Sequence, residues 1–142
     1  MKNILIINGP NLNLLGRRQP EIYGSKSFDQ YYLELVDTYK STATLSYYQS
    51  NHEGALIDKL HEVGFGDTGV VLNAGGYTHT SIALRDAVSA IETLVVEVHI
   101  SDISAREPFR KHSYLTDVCA HHIIGKGLQG YGQAIDWLST HS

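Results

Sequence analysis

Residues 70–91 read Val70-Val71-Leu72-Asn73-Ala74-Gly75-Gly76-Tyr77-Thr78-His79-Thr80-Ser81-Ile82-Ala83-Leu84-Arg85-Asp86-Ala87-Val88-Ser89-Ala90-Ile91. A continuous aliphatic run, 70–73, meets a junction of glycine and polar residues, and a helix-period stretch follows over 80–91. Such a run bounded by turn residues is a strand buried on both faces. The helix places Ile82, Ala83, Ala87, Val88 and Ile91 on its apolar side. A buried strand feeding a helix through a short junction is half of a βαβ crossover.

The same unit recurs on both sides of this stretch. Upstream, residues 2–8 form a strand. Ser27 then caps a helix, with Gln30 as its capping-box partner and Phe28, Tyr31, Tyr32, Leu35, Val36 and Tyr39 at helical spacing. Residues 44–49 form the next strand and 53–63 the next helix, stopped by Gly64. Downstream, 94–98 and 118–124 read as strands and 128–138 as the closing helix. Five strands alternating with helices imply a parallel sheet covered on both faces. The expected fold is therefore α/β, a flavodoxin-like three-layer sandwich. The 142 residues suit one domain spanning 1–142, and are too few for a (β/α)₈ barrel, which needs about 250.

Composition narrows the function. The chain is 42% hydrophobic and 18% charged, which marks a globular protein. A net charge of −4 with no basic run argues against nucleic-acid binding. No apolar run approaches the ~20 residues of a membrane span. The single cysteine, Cys119, fits a reducing compartment, so the expected location is the cytoplasm. Eight histidines invite a metal, but neither a His-x-x-x-His nor a CxxC spacing occurs, and His121 and His122 point to opposite faces of a strand. No metal is expected.

Open α/β sheets bind ligands beyond the carboxyl ends of their strands. There this chain concentrates its Asn, His, Arg and Gly: residues 8–24, 50–53, 73–81 and 99–110. The first segment carries Asn11 and then Gly16-Arg17-Arg18-Gln19-Pro20-Glu21-Ile22-Tyr23-Gly24. A tyrosine, with an ordinary pKa of about 10, becomes a base near neutral pH only if cations favour its phenolate. Lowering it by two to three units requires about 3–4 kcal/mol of differential stabilisation. In the second segment Ser50 or Asn51 caps the helix and Glu53 complements its dipole. In the third, glycine backbone and the helix N-terminus with Thr78, Thr80 and Ser81 favour an anion, and Asn73 and His79 add polar groups. At the fourth, strand alternation sets Glu97, His99 and Ser101 on one face. A carboxylate beside an imidazole fixes its tautomer and suits it to general acid work. Arg106 and Arg110, four apart, share a face on a helical turn and suit a carboxylate.

Asn8-Gly9-Pro10-Asn11-Leu12-Asn13-Leu14-Leu15-Gly16 and Arg18-Gln19-Pro20-Glu21-Ile22-Tyr23-Gly24 resemble the N-terminal signature of type II 3-dehydroquinate dehydratase. Gln49-Ser50-Asn51-His52-Glu53-Gly54, residues 73–81, Glu97-Val98-His99-Ile100-Ser101 and Ala105-Arg106-Glu107 with Phe109-Arg110 resemble further segments of that family, in its order. The resemblance implies a cofactor-free anti elimination of water from 3-dehydroquinate through an enolate, in the shikimate pathway of aromatic amino acid biosynthesis. It implies Tyr23 as base, with Arg18 and Arg106 acting on it. His99 is then the acid, oriented by Glu97, and Asn11 positions groups around the enolate. Asn73, His79, Asp86, Ile100, Ser101 and Arg110 would hold substrate, with Asp86 reaching a neighbouring subunit. The implied assembly is a homododecamer of four trimers. Asp102, Ser104, Gly76 and Pro108 depart from the family pattern, and Asp102 puts added negative charge beside Ser101. Arg17 has no implied role. Two alternatives remain: the same reaction in quinate breakdown, or a non-catalytic flavodoxin-like binding module, which has no need of the tyrosine segment.

Overall fold

The structure, a computed structural model, describes residues 1–17, 21 and 25–141. Five parallel strands, β1 (Lys2–Asn8), β2 (Ala43–Gln49), β3 (Gly69–Asn73), β4 (Val95–His99) and β5 (His121–Ile124), form one sheet in the order β2-β1-β3-β4-β5. This is the flavodoxin-like order, with its switch point between β1 and β3. Helices α1 (Phe28–Tyr39) and α4 (Gln129–Ser139) cover one face, α2 (Glu53–Val63) and α3 (Ile82–Ala90) the other.

Strand alternation divides the core into two layers. Ile4, Ile6, Val71, Val96 and Val98 pack against Phe28, Leu35, Tyr131 and Ile135. Leu5, Ile7, Val70, Leu72 and Val95 pack against Leu56, Leu60, Leu84 and Val88. β3 and β4 are buried along their whole length and β1 from Ile4 onward, so their apolar residues run consecutively rather than alternating, with Glu97 interrupting the run in β4. The Ser27–Gln30 capping box closes the start of α1 as expected.

Several boundaries differ from the sequence reading. The last strand begins at His121, not 118, because the amides of Val118 and Cys119 close a turn onto the Leu115 carbonyl. Helix α3 begins at Ile82, because a 3-10 turn over Gly75–His79 takes up the preceding residues and Ser81 caps the helix. Its inner face is Leu84, Ala87 and Val88, while Ile82 and Ala83 point outward. Val36 of α1 is likewise exposed. Asn51 does not cap α2; His52 holds that position, and the Ser50 hydroxyl accepts from the His52 amide. Arg106 follows one 3-10 turn, Ile103–Ala105, in extended conformation, and Arg110 ends the next, Pro108–Arg110, so the two do not share one helical face. Proline at the start of the second turn separates the two, since it cannot donate to a continuing helix. Among the described residues no helix is long and apolar enough to cross a membrane.

Candidate active site

Where the connections leaving β1 and β3 diverge, they leave a cleft of about 150 Å³. Its lining includes Asn11, Asn73, His79, His99, Ser101, Arg106 and Arg110. Seven residues singled out from sequence thus converge from three strand ends. Pro10, Leu12, Gly75, Gly76 and Ile103 complete the wall. Leu12 and Ile103 were not singled out, because apolar residues in a loop carry no chemical signature.

The loop after β1 is held open by backbone geometry. Asn11 has φ 69°, a left-handed conformation that asparagine tolerates better than most residues. Its amide donates to Asn51 Oδ1 at 3.0 Å, so the second strand end braces the first. Gln49 Nε2 donates to the Gly9 carbonyl at 3.1 Å and to Asn51 Oδ1 at 3.2 Å. Gly9 itself sits so close to the next loop that a Cβ there would lie 2.4 Å from the Ala74 carbonyl oxygen. Asn51 is therefore a brace between loops, and Tyr77 donates its hydroxyl to the Asn51 carbonyl at 3.1 Å.

Asn73 ends β3 and is almost fully buried. Its Nδ2 donates to the Tyr131 hydroxyl at 2.9 Å, and its Oδ1 accepts the Gly75 amide at 3.1 Å. The Tyr131 hydroxyl in turn donates to Asn8 Oδ1 at 2.8 Å. Burial pushes the Tyr131 phenol well above its usual range, so it stays neutral. The α3 N-terminus was expected to attract an anion. It is already served internally: Ser81 accepts the Leu84 amide and donates to the Glu53 carboxylate. The Gly75–His79 turn, not that helix end, faces the cleft.

His79 Nδ1 meets the His112 carbonyl at 2.8 Å. A carbonyl only accepts, so Nδ1 carries the proton and Nε2 is an acceptor. Burial lowers the His79 pKa, the His112 carbonyl opposes this, and His99, Arg110 and Arg106 lower it further. A neutral His79 is thus a hydroxyl acceptor rather than an anion binder.

His99 and Glu97 lie side by side at the end of β4, both buried, with His99 Nε2 2.6 Å from Glu97 Oε2. The hydroxyls of Ser113 and Thr116 also donate to this carboxylate. Burial alone raises the Glu97 pKa. The His99 hydrogen bond and charge, with the two hydroxyls, outweigh it and hold the carboxyl below its usual range. Neither Ser113 nor Thr116 was visible as a partner in sequence, since they lie on an irregular segment 16 and 19 residues beyond Glu97.

Two guanidiniums close the far wall with one carboxylate between them. Arg110 Nε donates to Glu107 Oε2 at 2.9 Å, and Arg106 Nε lies 3.8 Å from Glu107 Oε1. Arg106 also reaches Ser101 Oγ at 3.5 Å. Asp102 turns away from the cleft. Its carboxylate accepts from the Ser104 hydroxyl at 2.6 Å and the Ser104 amide at 3.0 Å, contacts that lower its pKa. Asp102 and Ser104, two of the four departures from the family pattern, are thus a mutually satisfied pair. Ile100 packs its side chain in the core. Asp86 is exposed on α3 and is not among the cleft residues. Arg17 is exposed. Arg18 and Tyr23 lie outside the described residues. Among the described residues, no group of three or more His, Cys, Asp or Glu side chains is arranged to hold a metal ion.

Comparison with known proteins bears on this cleft. The family model "Dehydroquinase class II" matches residues 2–139. A 3-dehydroquinate dehydratase from an Exiguobacterium species is 54% identical over 97% of this chain and 94% of its own length. A catabolic 3-dehydroquinase from Aspergillus oryzae is 45% identical over 98% of this chain and 92% of its own. The crystal structure of a type II dehydroquinase from Butyrivibrio crossotus superposes with a TM-score of 0.92 at 45% identity, covering 98% of both chains. By sequence along nearly its whole length and by fold, the chain belongs to the class II dehydroquinase family.

Proposed function

We propose that the chain eliminates water from 3-dehydroquinate to give 3-dehydroshikimate. One observation carries this reading: a buried Glu97–His99 pair opens onto a cleft walled by two arginines, in a chain of this family. In this reading Tyr23, as phenolate, takes the proton next to the ketone, and the electron pair moves onto the ketone oxygen as an enolate. The enolate re-forms the ketone, makes the carbon–carbon double bond and expels the hydroxyl, which His99 protonates so that water leaves. One proton is gained by Tyr23 and one given by His99; returning the first to the second resets the site. Arg18 and Arg106 favour the phenolate by charge. Glu97 orients His99 and stabilises its imidazolium. Asn11 positions groups around the enolate. Asn73, His79 and Arg110 take ring hydroxyls, and the Ile100–Ser101 backbone with Ser101 takes the carboxylate. None of these steps calls on a cofactor.

Asp86 lies away from its own cleft, which supports a role in the site of a neighbouring subunit. We assign the chain a homododecameric assembly of four trimers, one catalytic domain per chain, and a cytoplasmic location. Light scattering should give the mass of twelve chains, and a monomer would remove Asp86 from the mechanism. Incubation with 3-dehydroquinate should raise the ultraviolet absorbance of the conjugated enone; folded protein that gives no rise would refute the activity. Tyr23→Phe should abolish turnover and keep binding, and retained turnover would remove Tyr23 as base. We place the reaction in the shikimate pathway. Loss of the gene should then create a need for aromatic amino acids; loss of growth on quinate alone would assign it to breakdown instead.

A further inference from the structure

The segment between the Pro108–Arg110 turn and β5 has no part in the mechanism above, yet it supplies two of the four donors on the buried Glu97 carboxylate that backs His99. Glu97 is 0% exposed. Its Oε2 meets His99 Nε2, the Ser113 hydroxyl and, at 3.4 Å, the Thr78 hydroxyl; its Oε1 meets the Thr116 hydroxyl. We propose that Ser113 and Thr116 are positioning residues that act through Glu97 on His99, holding the carboxylate as an anion beside the imidazole, with the longer Thr78 contact as its one further partner. This inference rests on the reading of His99 as the acid.

The chemistry of the donors is the reason. A buried carboxylate without donors takes up a proton, and would then take it from the imidazole beside it. Hydroxyl donors stabilise the anion through hydrogen bonds while adding no formal charge. A cation in their place would also favour the anion, but it would repel the imidazolium. Hydroxyls thus leave the proton on His99, where an acid needs it.

The segment is built to aim these two groups. The Ser113 oxygen accepts the Leu115 amide at 3.1 Å, which turns its own hydrogen away toward Glu97. The Tyr114 amide donates to the Thr78 carbonyl at 2.9 Å. From α3, Arg85 Nη1 donates to the Tyr114 carbonyl at 2.8 Å, and the guanidinium grips Asp117 with both terminal nitrogens. The residues on either side of Thr116 are therefore clamped.

Other titratable groups surround the pair. His79 interacts with His99 and with Arg106 and Arg110. The Cys119 thiol feels the Glu97 charge, and burial pushes it up so that it stays neutral. His122 is the register partner of Glu97 on β5. Substituting Ser113 or Thr116 leaves all of these in place, so a changed titration reports on the lost hydroxyl.

The test compares Thr116→Val, Ser113→Ala and Thr116→Ser with the unaltered full-length enzyme. The Glu97 carboxyl is followed by carbon-13 NMR against pH, and kcat and KM for 3-dehydroquinate are measured at neutral pH. Losing one charge-assisted hydrogen bond should raise the Glu97 midpoint by about one pH unit. It should lower kcat by about tenfold and leave KM within about twofold. Thr116→Ser, which keeps the hydroxyl, should restore both. An unmoved midpoint in both hydroxyl-deleted variants, or a fall in thermal stability with kcat unchanged, would overturn the proposal. If Thr116→Val does not fold, Ser113→Ala carries the same comparison. Absence of turnover by the unaltered enzyme would defeat the functional reading, while the carboxyl titration would still decide the role of the hydroxyls.

Discussion

Tyr131→Phe removes one oxygen from the floor of the cleft and tests how the floor is held. The ring is fully buried, and phenylalanine fills the same space. The hydroxyl donates to Asn8 Oδ1 at 2.8 Å and accepts from Asn73 Nδ2 at 2.9 Å. Without it, one buried acceptor and one buried donor lose a partner. Each such group costs about 1–3 kcal/mol. Against that, phenylalanine no longer buries a hydroxyl; the long 3.5 Å contact from Asn8 Nδ2 to the Tyr47 hydroxyl is kept but does not serve the orphaned Oδ1. The expected loss is about 2–4 kcal/mol, a shift of roughly 1–2 M in the urea midpoint at the usual slope for small proteins. The slope itself should not change. Protein concentration must be equal in the two samples, because assembly adds to apparent stability. The site should respond as well. Asn73 Oδ1 holds the Gly75 amide at 3.1 Å, so a displaced amide loosens the glycine turn and raises KM. A loss below about 0.5 kcal/mol would refute the reasoning, since both groups must then find other partners at no cost.

Other outcomes follow from the same geometry. Gly75→Ala should destabilise by about 1–2 kcal/mol and raise KM, because Gly75 has φ 61° and a Cβ would meet the Pro10 carbonyl oxygen at 3.0 Å; thermal melts and initial rates check both. Glu97 should contribute to stability in a pH-dependent way. Its folded pKa is depressed, so the unfolded chain binds the proton more readily, and the contribution is full above the ordinary glutamate pKa of about 4.3 and lost as pH falls through the lower folded value. Urea midpoints of the unaltered protein and of Glu97→Gln at pH 7, 5, 4 and 3 should therefore converge on acidification; a constant gap would contradict the sign. Asp102→Asn should change KM by no more than about twofold at moderate salt, since the carboxylate is exposed and occupied by Ser104.

The parts of the fold legible in sequence are those set by local pattern. The aliphatic runs of β1 (residues 4–7) and β3 (residues 70–72) are unbroken because helices cover both faces, and that pattern exists before any contact is made. The Ser27 capping box is equally local. The errors share a cause. Ile82 and Ala83 look like core at helical spacing, but the direction a helix presents depends on where it starts, and a tertiary-supported 3-10 turn delayed the start of α3 to Ile82. The pair of arginines four apart looks like a helical face, yet Pro108 separates the two, and both still line one cleft.

Sequence alone determined the strand-and-helix order, the sheet edge at which the polar residues collect, and the pairing of Glu97 with His99. All three are short-range consequences of side-chain period and chain direction. Only the tertiary structure decided what surrounds those groups. Tyr131 comes to Asn8 across 123 positions, and Ser113 and Thr116 come to Glu97 from an irregular segment. Asp102 turns from the cleft to Ser104, and Ser81 and Glu53 occupy the helix end expected to hold an anion. A buried polar atom must find a partner wherever packing supplies one. That partner is chosen by the folded shape as a whole, so periodicity along the chain carries no trace of it.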